Sequence, residues 1–341
     1  VNQTMQNSST PDEQTYLLDI SRRAMACQFQ ILLNADEQHS AAETAVQALD
    51  LVEELEEQLS IFRTESQITR VNRLAAEKPQ PVSSNVFQLL ILAKQIWQKT
   101  DGAFDITSTP LSKVWGFHTR QSTLPLPDDI TFAKQTIGCQ FLQLRNNAVS
   151  FDHPQLEINL GGIGKGYALD RCHQHFKSQQ IKNYLLHAGH SSILAHGNRK
   201  NLTAKNRGWQ IALRHPLIPQ RQLANIWLRD RAIGTSGDAN QFFYHQGKRY
   251  GHVIDPRSGW PTQHTLSATV ITHSAATADA LATAFFVIGP ENATQYCQQH
   301  PDTAFIIATP GDHHRIIKLH IFGVKKEDLE VTANNVELIE Y

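Results

Sequence analysis

The chain has 341 residues, enough for one large domain or two modest ones, with 40% hydrophobic and 18% charged residues. Lys and Arg number 31 against 32 Asp and Glu, a formal net charge of -1, which argues against a protein that works by coating nucleic acid. The longest apolar runs, such as Ala284 to Ile288, fall far short of the roughly 20 residues that a membrane-spanning helix needs, so the composition points to a globular chain with a substantial core.

Val1–Thr15 is polar and reads as a disordered lead, without the basic, apolar and small-residue order of a signal peptide and without a lipobox. Residues 16–341 read as one domain, with room for two lobes. Gln28 to Leu33 alternates as a strand. Ala41 to Leu59 has apolar residues at Ala45, Leu49, Val52, Leu55 and Leu59, which predicts a helix. A second helix fits Val86 to Thr100, with Leu89, Leu90, Ala93, Ile96 and Trp97 inward. Pro125, Pro127 and two Asp residues mark a surface loop. A strand-like run at Leu156 to Ile158 leads into a glycine-rich segment. Strands fit Ala148 to Phe151, Asn183 to His187, Gln210 to Leu213, Ala268 to Ile271 and Thr303 to Ala308. A helix over Ala278 to Val287 is ended by Gly289-Pro290. The mixture lacks strict β-α-β alternation, which favours α+β. Cys27, Cys139, Cys172 and Cys297 form no C-x-x-C and leave the redox compartment open. The close pairs among the 17 histidines, His173 with His175, His187 with His190 and His313 with His314, read as surface residues.

Four segments rich in Gly and small polar residues carry the candidate chemistry. They are Asp101-Gly-Ala-Phe-Asp105, Asn159-Leu-Gly-Gly-Ile-Gly-Lys-Gly-Tyr-Ala-Leu-Asp170, Gly234-Thr-Ser-Gly-Asp238 with Gly251-His-Val-Ile-Asp-Pro-Arg-Ser-Gly259, and Thr277-Ala-Asp-Ala-Leu-Ala-Thr283. The glycine-rich turn before a helix suits an anionic phosphate, with Lys165 adding a charge, and suits a tight structural turn equally. It is neither a Walker A nor a Rossmann pattern. Asp279 and Thr283, four apart on a helix, share a face. Together they offer hard oxygen ligands for Mg²⁺, or Asp279 serves the helix dipole while Thr283 packs. His252, entering an Asp-Pro-Arg-Ser-Gly turn, suits a general base or a plain surface position. No acyl-transfer or kinase signature is present.

In order along the chain, these stretches resemble the ApbE family of Mg²⁺-dependent flavin transferases. The resemblance runs from about Met25 to Gly289. It also rests on Met25-Ala-Cys, Leu59 to Asn72, Trp115-Gly-Phe117 and Ala278-Asp-Ala-Leu-Ala-Thr283. It implies a T-fold-related α+β domain with a flavin cleft between lobes. It implies transfer of FMN from FAD to a Thr or Ser hydroxyl of an acceptor flavoprotein, with release of AMP. Met25, Phe62, Ala103, Phe104 and Asp105 then fall at FAD contacts, as do Asn159, Val253 and Ile254, and Lys165 falls near the phosphates. A carbonyl at Gly162 with Asp279 and Thr283 corresponds to the metal ligands, and His252 to the group that activates the attacking hydroxyl. The family further implies a periplasmic or membrane-anchored setting and an acceptor subunit in a membrane redox complex. Two departures stand out. Asn159 replaces a usual Asp, and Gly189-His190 replaces Gly-Gly, so that His190 is expected to narrow the flavin pocket or to contact an adenylate. FAD hydrolysis to FMN and AMP, and plain FAD binding, are the rival activities.

Overall fold

The computed structural model describes residues 17–35, 37, 40–119, 123–199, 207–239, 241–313 and 316–341; the polar lead at 1–15 lies outside them. The first hairpin joins β1 (Leu17–Ala24) to β2 (Cys27–Asn34) through a Met25-Ala26 turn with positive φ at both residues. Helix α1 (Ala41–Leu59) buries the five apolar residues that set its period. After α2 (Gln67–Leu74), β3 (Gln80–Pro81) and α3 (Ser84–Lys99) come α4 (Thr109–Val114) and α5 (Pro127–Gln135). Strands β4 (Leu142–Arg145) and β5 (Ala148–Phe151) pair with β3 in a small sheet. Helix α6 (Gly164–Ser178) leads to β6 (Tyr184–Ala188) and β7 (Ser192–His196), then β8 (Trp209–Arg214), β9 (Gln222–Leu228) and β10 (Arg231–Gly237). A short hairpin, β11 (Phe242–His245) and β12 (Lys248–Gly251), precedes β13 (Ser267–Thr272) and α7 (Ala275–Gln299). The chain closes with β14 (Ala304–Pro310), β15 (Ile317–Phe322), β16 (Leu329–Val331) and β17 (Val336–Glu340).

The result is the expected α+β class. Nine strands form one sheet in the order β1-β2-β6-β7-β10-β13-β14-β15-β17, antiparallel except for the last pair. Helices α1, α6 and α7 pack on one face, and the β8-β9-β16 sheet covers much of the other. Double coverage explains why β13 and β14 are apolar on both sides, whereas β8, on an outer layer, alternates buried and exposed. A third apolar cluster gathers Trp115, Phe117, Ile130 and Tyr250 beside the α4–α5 region. The four thiols are free. No helix among the described residues is long and apolar enough to cross a membrane.

Three expectations are corrected. Pro127 and the two Asp residues do not stay in a loop: Pro127 opens α5 with Asp128 and Asp129 in its first turn, where a fixed φ and negative charge suit a helix start. Leu156–Ile158 is no strand. The Asn72 amide bonds both backbone groups of Ile158, at 2.8 and 2.9 Å, in place of a neighbouring strand. Gly289 does break the helix, at φ 75°, but helical structure resumes at Pro290 and continues to Gln299.

Candidate active site

Sheet register carries several turns to one end of the molecule: Met25-Ala26, Gly189–Ser191 and the last residues of β10. Helix α7 lies across β10 so closely that a Cβ on Gly234 would sit 2.3 Å from the Ala278 backbone. Likewise a Cβ on Gly166 would meet the Ala275 carbonyl at 2.1 Å, so α6 and α7 touch backbone to backbone. Asp170 locks this seam. It accepts from Ser274 Oγ (2.7 Å) and from the amides of Ala275 (2.7 Å) and Ala276 (3.0 Å), capping α7 from a neighbouring helix.

Asp279 is thereby placed on the buried face. Its Oδ2 accepts from the Gly166 amide and from Ser192 Oγ, both at 2.8 Å. Burial pushes its pKa up to about 7, with Lys165 opposing the rise. Thr283, one turn on, bonds Ser236 Oγ at 2.9 Å, and the space a Cβ on Gly162 would take lies 3.9 Å from Thr283 Oγ1. Gly162, Asp279 and Thr283 line one cavity, and a carboxylate and a hydroxyl are donors suited to a hard cation that takes its remaining ligands from backbone oxygen, phosphate and water. No cluster of three or more His, Cys, Asp or Glu occurs among the described residues.

The glycine-rich turn is more self-satisfied than its sequence suggests. Asn159 Oδ1 accepts from Gly161 N at 2.9 Å, and Gly164 N bonds Leu160 O at 2.7 Å. Lys165 lines the cavity with Asp279, whose pKa rise its charge opposes. Opposite lies Ala103-Phe104-Asp105. The Asp105 carboxylate is turned inward, accepting from Thr107 N (2.8 Å), Thr107 Oγ1 (2.6 Å) and Cys139 Sγ (3.4 Å), and burial raises its pKa.

His252 faces the same space from the far side. Its amide donates to Gln241 O at 3.1 Å, and its Nδ1 lies 3.3 Å from the same carbonyl. A carbonyl only accepts, so Nδ1 carries the proton and Nε2 keeps its lone pair. Burial pushes the imidazole pKa down, against the Gln241 carbonyl and Asp238. Asp238 itself holds Arg249 at 2.8 Å and is buried.

A cavity of about 520 Å³ is lined by Ala103, Phe104, Asp105, Asn159, Gly162, Lys165, His252, Val253, Ile254, Asp279 and Thr283. Sequence reasoning named every one of these. Two other named residues do not line it. Met25 packs against the main core in the first hairpin turn. Phe62 is 80% exposed between α1 and α2, with its ring near-parallel to His118 at 6.1 Å. His190 is exposed and is also absent from the lining, so in this structure it does not narrow the cavity. Ser191, Ser236 and Gln241 line it without having been singled out, and Ser192 and Asp170 act through Asp279 and its helix. Asp170 and Ser236 belong to the glycine-rich segments Asn159–Asp170 and Gly234–Asp238, whereas Ser192 and Gln241 carry no local signal. Of the histidines read as surface residues, His173 and His187 are half-buried, and burial lowers both to about 4. His314 lies outside the described residues.

Residues 25–307 match the model of the ApbE family. The FAD:protein FMN transferase of Vibrio cholerae is 32% identical over 266 residues, 77% of this chain and 78% of the relative. That of Escherichia coli K12 is 31% identical over 262 residues, 74% and 73% of the two chains. Among solved structures, the flavin transferase ApbE from Vibrio cholerae superposes with a TM-score of 0.78 at 28% identity, covering 90% of this chain and 97% of that one. The apo form of the Pseudomonas stutzeri flavinyl transferase ApbE gives 0.75 at 27% identity, covering 87% and 92%. With motif order and fold in agreement over most of its length, the chain belongs to the ApbE family.

Proposed function

We propose that this chain transfers FMN from FAD to a hydroxyl of an acceptor protein, releasing AMP. The observation that carries the reading is the single cavity that joins Asp279, Thr283 and Lys165 at one end to His252 at the other. In the proposed reaction, the acceptor hydroxyl oxygen attacks the phosphorus on the FMN side of the diphosphate. The bond from that phosphorus to the bridging oxygen breaks, and the oxygen departs on AMP. The hydroxyl proton passes to His252 Nε2, whose neutral form the buried setting favours. Lys165 offsets charge on the phosphoryl oxygens. Asp279, Thr283 and the Gly162 carbonyl would hold Mg²⁺, which when bound neutralises and orients the diphosphate. The aromatic face of Phe62 and the Ala103–Asp105 and Val253–Ile254 stretches would border the flavin. The family resemblance supports an acceptor subunit in a membrane redox complex and a periplasmic or membrane-anchored setting.

Incubation with FAD, Mg²⁺ and a candidate acceptor domain, followed by intact-mass measurement, tests the reading. An FMN-sized gain on the acceptor with AMP in solution is expected. Free FMN and AMP with an unmodified acceptor mean a hydrolase, and unchanged FAD that co-elutes means a binding protein.

A further inference from the structure

The β11–β12 hairpin stands on the cavity. The two residues at its base, Gln241 and His252, both line the cavity and are bonded to each other. Its inner face is anchored: Phe243 and Tyr250 stack at 5.3 Å and pack on Trp115. Its outer face is not. Phe242 is 40% and Tyr244 65% exposed, set edge-on at 5.6 Å, and Arg249 lies 4.2 Å over Phe242 while held by Asp238.

The hairpin forms a sheet of only two strands, so each has an outer edge. Antiparallel pairs alternate between bonded and non-bonded. Gln241 and His252 form a bonded pair, so the Phe242/Gly251 and Tyr244/Arg249 pairs direct their backbone groups outward. On β12 the outward Arg249 carbonyl is taken by Gln263 Nε2 at 2.9 Å. On β11 the amides and carbonyls of Phe242 and Tyr244 have no partner among the described residues. Such an edge is a template for an added strand. It begins one residue from the base that holds His252, and the transferase reaction requires a polypeptide hydroxyl at that place.

We propose that an extended segment of the acceptor polypeptide pairs along the free edge of β11 and lays side chains on Phe242 and Tyr244. The target Ser or Thr, at the end of that segment nearest Gln241, then meets His252 at the cavity mouth. The inference rests on the transferase reading and adds the place where the acceptor docks.

The test uses the full chain with FAD, Mg²⁺ and two probes: a pool of randomised dodecapeptides with a central Thr, and N-acetylthreonine N-methylamide, which is too short to form a strand. Tyr244→Pro removes an edge donor at a position where an edge strand tolerates proline, and Phe242→Ser with Tyr244→Ser removes the aromatic face. Both variants should label the pool at least about 10-fold more slowly, as the loss of one or two net backbone hydrogen bonds in the first and of two aromatic contacts in the second implies, and label the small amide at the wild-type rate. In the wild type, the best-labelled peptide, resynthesised with Ala for Thr, should slow hydrogen exchange at the Phe242 and Tyr244 amides. Undiminished pool labelling in both variants, or loss of FAD binding in either, overturns the proposal. So does protection of those amides that depends on protein concentration without peptide, which assigns the edge to a second copy. If the wild type consumes FAD but labels neither probe, the transferase reading fails and the docking edge fails with it; wild-type labelling that the variants share sinks the docking edge alone.

Discussion

Asp279 on the one hand, and His252 with the exposed Phe62 outside the cavity lining on the other, differ in how their side chains are held. Asp279 is buried, bonded from two elements, and carried on a helix that touches α6 and β10 at backbone distance. His252 hangs from one carbonyl, and Phe62, outside the cavity lining, lies in solvent beside His118. Buried hydrogen bonds and interlocked backbones fix one geometry before any ligand arrives. An exposed aromatic side chain on a loop is free to change rotamer when a ligand supplies the contact. On the proposed reading, the phosphate end is thus prebuilt, and the flavin and acceptor end is completed on binding.

The largest effect that would break this contrast comes from the seam. Gly166→Ala places a Cβ 2.1 Å from the Ala275 carbonyl, a contact that backbone must move to relieve. We expect a stability loss of about 1–3 kcal/mol or more and loss of transfer activity, measured by urea unfolding and by acceptor labelling. Wild-type behaviour would mean that α6 and α7 are not in contact. Next, Asp279→Ala should bring transfer to the metal-free background, with FAD binding in the absence of Mg²⁺ falling much less. Titration of FAD with and without Mg²⁺ checks this, and retained Mg²⁺ dependence would remove Asp279 from the ligand set.

At the looser end, His252→Ala should lower turnover by about 10²–10⁴-fold while FAD still binds. The pH profile sharpens the assignment. Burial lowers the His252 pKa from its ordinary value near 6.5, so the base form persists below that pH. With Mg²⁺ saturating, which would keep Asp279 ionised, wild-type activity should fall as pH drops through the lowered value, and the variant should lose that limb. Loss of FAD binding in the variant would make His252 a pocket residue instead of a base.

Legibility in the sequence followed the same divide. Residues at the prebuilt end announce themselves through local pattern. Glycine is required where backbones touch, and Asp279 and Thr283 sit at helical spacing. The period of α1 and the alternation of β2 were equally plain, because burial on one face imposes them. What stayed hidden depends on contacts far apart in the chain. Asn72 replaces a strand partner for Ile158 across 86 residues, and Ser192 reaches Asp279 across 87. The burial of His173 and His187 likewise comes from tertiary packing, against Tyr184 and His196 for the former and within the sheet for the latter. No spacing rule encodes such pairs.

Those two histidines give a smaller prediction. Each is lowered to about 4 in the folded chain against about 6.5 unfolded. The unfolded state therefore takes up more protons between those values. Stability should be full above pH 6.5 and decline as pH falls from 6.5 towards 4, by about 1–3 kcal/mol in total once the water that reaches half-buried rings is allowed for. Urea midpoints at pH 7.5 and pH 4.5 measure the loss, and in His187→Leu the decline should be shallower. Smallest of all, Phe62→Ala should weaken FAD binding several-fold, about 1 kcal/mol of stacking, without changing the unfolding midpoint. An unchanged dissociation constant would leave the exposed ring outside the flavin site.

The most direct test of the account is intact-mass measurement of an acceptor domain after incubation with FAD, Mg²⁺ and either the wild-type chain or Asp279→Ala. The account predicts an FMN-sized gain on one Ser or Thr with the wild type, an equal amount of AMP, and an unmodified acceptor with the variant. AMP and free FMN beside an unmodified acceptor, or labelling that survives Asp279→Ala, would contradict it.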